Sequence, residues 1–144
     1  MKIGINFSTG AKNLSSSLKE VAQESDEKKD ELVLELARHT KLTILRRMRR
    51  QAARGKTYRR YNPLRIVTAS APGQMPAIDT KRLIRSIQIN KEGNGYTVGT
   101  ANPVGFWMEF GTRFMAARPW LRPGARLAWK NAPEFVKKIM RIRV

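Results

Sequence analysis

Between Gly105 and Pro123 the chain reads G-F-W-M-E-F-G-T-R-F-M-A-A-R-P-W-L-R-P, and no other stretch limits its fold as much. Phe106, Trp107, Met108, Phe110, Phe114, Met115 and Trp120 supply more apolar bulk than a surface loop needs, while Gly111 and Pro119 set where the backbone turns. The pattern suits a contact surface and not a reaction centre. Glu109 is its one acid. Among so many cations it should find an arginine, and Arg113 or another is the expected partner, Arg113 being in reach if the segment is helical. Taken singly, Phe106, Trp107, Phe110 and Trp120 are expected in a core, leaving one or two for an interface.

At 144 residues the chain fits a single domain, 1–144, with a flexible basic connector at about 54–78. Cysteine is absent, which excludes disulfides and thiolate metal sites, and a single histidine, His39, cannot build a histidine metal cluster. No segment approaches the roughly 20 apolar residues that span a bilayer. The expectation is a protein made in a reducing cytoplasm, with no membrane partner and no cofactor. Asp79 and Glu109 lie far apart in sequence without a flanking signature, and no phosphate-loop glycine pattern occurs, so no catalytic residues are assigned and no enzyme is expected.

The formal net charge of +18 is segregated. Residues 1–35 hold five basic and seven acidic side chains, a net −2, whereas residues 36–144 hold twenty-four basic and four acidic, a net +20. Eleven cations fall between Arg38 and Arg65. Such a field concentrates polyanions, nucleic acid foremost, beyond what solubility requires. Tyr58 and Tyr61 lie among these cations and could stack on bases, but two tyrosines make no periodic platform, and they are expected to fold their loop back onto the core.

Apolar residues at helical spacing from Leu14 to Arg54 predict one long helix or two, with a break near Ser25 favoured by the acids that follow it. Gly55 is expected to close the helix. Residues 54–76 read as connector, punctuated by Gly55, Asn62-Pro63 and Ala71-Pro72-Gly73. Asp79-Thr80 is expected to cap a short helix over 81–87. A β-hairpin should follow, with strands around Ile87–Lys91 and Tyr96–Thr100 joined by a Gly-rich turn. Val104–Phe110 reads as a short helix or wide turn, Pro123 as the start of a final helix, and Pro133 as its interruption before a separate helix over 134–141. The fold class is therefore α+β: a long N-terminal helix or two helices, a small antiparallel sheet with a β-hairpin, and C-terminal helices. His39 is expected to be an exposed polar residue.

Three features in order resemble the neck or tail-completion proteins of long-tailed bacteriophages, also called the tail-to-head joining or minor tail component family. They are Ser70-Ala71-Pro72-Gly73 with Pro76-Ala77, Asp79-Thr80, Leu83 and Ser86-Ile87; the Gly-rich hairpin; and Glu109-Phe110-Gly111-Thr112-Arg113 with Ala117, Pro119, Leu121, Arg122 and Pro123. The resemblance covers about residues 56–129. Two departures stand out: Lys81 replaces the usual glycine after the Asp-Thr pair, and Gly124 the usual alanine after the last proline.

The resemblance implies a virion subunit, made in the host bacterial cytoplasm, that forms a homo-oligomeric ring in the neck and joins a finished tail to a filled head. Its partners would be neighbouring head-closure or connector proteins and tail-tube or tail-terminator proteins, with transient non-specific contact to double-stranded DNA passing through the ring. Trp107, Glu109, Phe110, Gly111, Thr112, Arg113, Pro119, Trp120 and Pro123 are the motif and subunit-interface candidates. Arg46, Arg47, Arg49, Arg50, Arg54, Lys56, Arg59 and Arg60 are the candidates for contact with the DNA channel or an acidic partner. The competing expectation is a non-enzymatic basic nucleic-acid-binding protein.

Overall fold

The computed structural model describes residues 3–8 and 26–142. The N-terminal stripe winds into α1 (Asp26–Arg50), which buries Leu32, Val33, Leu36, Ala37, Thr40, Ile44 and Met48 along one side. Asp26 and Glu27 occupy its first turn and Arg47, Arg49 and Arg50 its last, each sign at the end of the helix dipole that favours it. The helix thus begins beside Ser25, as the acids suggested; the stretch from Leu14 to Ser25 lies outside the described residues. It ends at Arg50, and Gly55 is not its closing residue. A Cβ at Gly55 would fall 2.6 Å from the Ser70 carbonyl oxygen, and the Gly55 N–H donates to Ala69 O at 2.7 Å. Close approach of two backbones, not helix termination, requires that glycine.

The N-terminal segment that carried no expectation forms β1 (Ile3–Ser8). It pairs antiparallel with the segment Gly95–Thr100, from Ile3 opposite Thr100 to Ser8 opposite Gly95. The next two strands, β2 (Thr57–Tyr61) and β3 (Leu64–Thr68), form a separate hairpin within the basic connector. A five-residue α2 (Arg82–Ser86) leads into β4 (Gln88–Glu92) and β5 (Gly95–Thr100), the expected hairpin, turned at Gly93 with φ 58°. The larger sheet has the order β1-β5-β4, all antiparallel. The architecture is α+β, as the sequence predicted.

The helix α3 (Pro103–Phe110) opens with Asn102, whose side chain accepts from Val104 N at 3.0 Å, and with Pro103 in its first turn. The last helix, α4 (Leu121–Ile142), runs straight through Pro133. The expected break does not occur. Proline removes one backbone donor at a cost of about 3 kcal/mol. However, Leu121, Ala125, Ala128, Ala132 and Val136 form an unbroken buried stripe on both sides of it. Packing of that stripe against α1 holds the helix together.

One core joins Val33, Ala37, Ile44 and Met48 of α1 to Ile87, Tyr96, Val98, Trp120 and Leu121. A second cluster pairs Leu32 and Leu36 with Ala132 and Val136. Gly124 sets the helix spacing, because a Cβ there would meet Ile44 Cγ1 at 2.4 Å. This residue, where the resembled family carries alanine, matches the larger side chain facing it. Asp30 ties α1 to the sheet by accepting from Tyr96 Oη at 2.9 Å and Lys91 Nζ at 3.0 Å. Those hydrogen bonds hold its carboxyl below the ordinary aspartate value, Lys91 contributing most.

Candidate functional site

The Glu-Phe-Gly-Thr segment is a joint between α3 and α4. Glu109 is fully buried, and its Oε2 accepts from the backbone N–H of Trp120 (2.7 Å) and Leu121 (2.8 Å), while its Oε1 accepts from Arg122 N (3.2 Å) and Nε (2.8 Å). A carboxylate from one helix thereby caps the N-terminus of the next, meeting both the free N–H groups and the positive end of the dipole. The arginine partner is Arg122, not Arg113. Gly111, at φ 79°, turns the chain away after α3, and Arg113 ends over the Phe114 ring at 4.3 Å. Thr112 and Met115 close the turn with paired backbone hydrogen bonds. Trp120 is buried and donates through Nε1 to Gly105 O at 2.9 Å, so it is a core anchor. Pro119 and Pro123, both half-buried, flank the capped end.

The other aromatics of this segment face outward. Phe114 is 83% exposed, and Trp107 and Phe110 are each about half exposed. Phe110 lies between the Phe106 ring, 4.8 Å away, and the Arg122 guanidinium, 5.1 Å away. These three form an aromatic edge on α3 and the following turn.

The β2–β3 hairpin is inverted with respect to charge. Its register places Arg60 opposite Arg65 and Tyr58 opposite Val67 on one face, and Arg59 opposite Ile66 and Tyr61 opposite Leu64 on the other. On the first face Arg60 and Arg65 both donate to the Asp79 carboxylate. On the second, Tyr61, Leu64 and Ile66 are 79%, 70% and 74% exposed. Tyr58 and Tyr61 therefore do not fold the loop onto the core. Nor does Asp79 cap α2, which begins after Lys81 without a side-chain cap. Lys81 itself holds φ 61°, a left-handed conformation that glycine adopts more easily, and this is where the resembled family has glycine.

The cationic candidates divide into three groups. Arg60 is held by Asp79. Arg49, Arg54, Lys56 and Arg59 are exposed singly along the surface. Arg46, Arg47 and Arg50 line a groove of about 480 Å³ between α1 and α4, together with His39, Gln51 and Asn131. His39 is half-buried and stacks on Phe135 with ring centroids 4.2 Å apart, correcting the expectation of an exposed residue. Burial, and then the charge of Arg46, pushes its imidazole below the ordinary value.

Four of these residues, Gln51, Asn131, Leu64 and Ile66, carried no sequence expectation. The groove amides Gln51 and Asn131 come together only through helix packing, and no local signal announces them. The outward Leu64–Ile66 face was legible in principle, because TYRRY and LRIVT alternate on either side of the Asn62-Pro63 turn. No family model matches the chain, and no curated protein or solved structure matches it either.

Proposed function

We propose that the chain is a ring-forming structural subunit of a long-tailed bacteriophage neck, a tail-completion protein that joins tail to head. The observation that carries this reading is the hairpin whose outward face holds Tyr61, Leu64 and Ile66 in solvent while Arg60 and Arg65 turn to Asp79 on the other face. Burying an apolar side chain of that size contributes about 1.5 to 3 kcal/mol, so three left exposed on one face favour a partner surface. A closed ring needs two different complementary patches on every subunit. The hairpin supplies one, and the aromatic edge of Trp107, Phe110 and Phe114 on a separate element supplies a second. The order of motifs from Ser70 to Pro123 adds the resemblance to neck proteins, and the buried Glu109 joint holds the second patch in place. The role is structural, without a catalytic step.

The arginine groove favours a second reading, a basic protein that binds nucleic acid as a monomer. Mass measurement of the purified protein with and without tail tubes, read with electron microscopy, separates the two. Rings, or subunits decorating tube ends, are expected. A monomer that never decorates a tube end and binds DNA tightly by itself would overturn the neck reading.

A further inference from the structure

We infer that the groove between α1 and α4 is a phosphate-backbone site for duplex DNA, with Arg46, Arg47 and Arg50 as its cations and Gln51 and Asn131 as flanking amide donors. The site adds a ligand to the cationic face, and it stands or falls separately from ring closure. Three observations carry it. First, among the described residues none of the three arginines has a carboxylate partner, although Arg38, Arg60, Arg65 and Arg122 all do. Second, Arg46 and Arg50 are four residues apart and Arg47 and Arg50 three apart, spacings at which like charges on a helix repel. The negative end of the dipole offsets part of this at Arg47 and Arg50, and an anion seated between the guanidiniums removes the rest. Third, no acidic side chain among the described residues lines the groove, whose opposite wall carries the Asn131 amide. A guanidinium fork and an amide N–H₂ are both donors suited to phosphate oxygens.

Charge spacing decides between a nucleic acid and an acidic polypeptide. At 1.5 Å of rise per residue, Arg46 to Arg50 covers about 6 Å, so successive cations of the three lie about 3 Å apart on average along the axis. One strand of a DNA duplex carries one negative charge per about 3.4 Å of its axis. An extended peptide, rising about 3.3 Å per residue with alternate side chains turned away, brings a carboxylate to the groove only every ~6.6 Å. The spacing in the groove matches the phosphates of one strand.

The test uses fluorescence anisotropy of a labelled duplex of about 20 base pairs, titrated with the full chain across a range of salt concentrations. The groove variant Arg46→Gln/Arg47→Gln/Arg50→Gln is compared with Arg49→Gln/Arg54→Gln/Arg59→Gln, which removes the same charge from exposed cations outside the groove. Circular dichroism melts confirm that both fold. The groove variant is expected to lose at least about tenfold in affinity, and the slope of log K against log salt should shrink by about 2.7, or 0.9 for each of three phosphates no longer neutralised. The surface variant should lose clearly less. Equal losses in the two variants, absence of duplex binding by the parent chain, or displacement of the duplex by poly-glutamate at lower charge concentration than by unlabelled duplex would each overturn the assignment. Ring formation by the groove variant, scored by electron microscopy, reports separately on the neck reading.

Discussion

In the body of the protein, α1, α4 and the three-stranded sheet enclose Ile44, Val98 and Trp120 and leave most arginines outside; in the β2–β3 hairpin, Arg60 and Arg65 turn inward to Asp79 while Tyr61, Leu64 and Ile66 turn out. The same chain therefore follows two different rules. The body is stabilised by its own burial, with its buried carboxylate, Glu109, satisfied by three backbone donors and one guanidinium. The hairpin is tethered by a carboxylate that remains partly exposed, and its outward side chains Tyr61, Leu64 and Ile66 bury little within the isolated subunit. Exposed apolar side chains grouped on one face are what the proposed subunit contact would use.

If that contrast is right, substitutions in the body should register as stability and substitutions in the hairpin as association. The largest stability effect belongs to Glu109→Ala. It strands the N–H groups of Trp120, Leu121 and Arg122 at the start of α4, and with about 1 to 3 kcal/mol for each buried unsatisfied donor the loss should reach about 3 to 5 kcal/mol. A urea midpoint that moves by less than about 1 kcal/mol would remove Glu109 from its place as the joint. Glu109→Gln keeps one acceptor oxygen and should recover part of the loss. Next comes Gly124→Ala, whose Cβ would press on Ile44 Cγ1. The overpacking should cost about 1 to 3 kcal/mol, more than the gain in helix propensity. Coupling to Ile44→Ala in a double-mutant cycle checks the cause, since Gly124→Ala should be better tolerated once that methylene is gone.

Elements with a strong local period were legible in the sequence, among them the long helix ending in arginines and the β4–β5 hairpin. What was not legible depended on distant partners. Gly55 sits where a helix would end, but its reason is a carbonyl at Ser70. Pro133 reads as a break, but the buried alanines on either side outweigh it. Asp79 reads as a cap because Asp-Thr precedes a short apolar run, whereas two arginines 19 and 14 residues upstream claim it. The candidate site divided in the same way. Trp107 and Phe110 emerged on the surface, Trp120 in the core, and the four-residue spacing of Glu109 from Arg113 gave no hint that Arg122, thirteen residues on, was the partner.

A smaller effect is expected at Lys81, the non-glycine residue held at positive φ among those described. The left-handed conformation costs an L-residue about 1 to 2 kcal/mol, and glycine gives back part of that through its freer unfolded chain. Lys81→Gly should therefore stabilise by about 0.5 to 1 kcal/mol. A midpoint that falls instead would mean that the lysine side chain contributes more than the backbone loses.

Acidification probes the α1–α4 seam. Burial and Arg46 hold His39 below its ordinary value, so between that ordinary value and its folded one the unfolded chain binds more protons than the native state. Stability from this residue is complete above about pH 6.5 and is lost as the pH falls below it. Melting temperature should drop modestly from pH 7 toward pH 5.5, and His39→Gln should flatten that part of the profile. The hairpin has no histidine and should leave the slope unchanged when substituted.

The smallest stability change, and the one that most sharply separates the two regions, is expected for Ile66→Asp. Ile66 is three-quarters exposed and faces away from Asp79, so the substitution removes no buried area from the subunit and should stay within about 0.5 kcal/mol of the parent. Between subunits the same change places a carboxylate, beside the exposed Arg59 opposite it, in what would be an apolar contact, where desolvating a charged pair is costly enough to prevent association. Melting should therefore be unchanged while sedimentation shows the ring replaced by monomer. An aspartate variant that still assembles would show that the outward face of the hairpin is not a subunit contact, whereas one that unfolds would show that the face packs within its own chain after all.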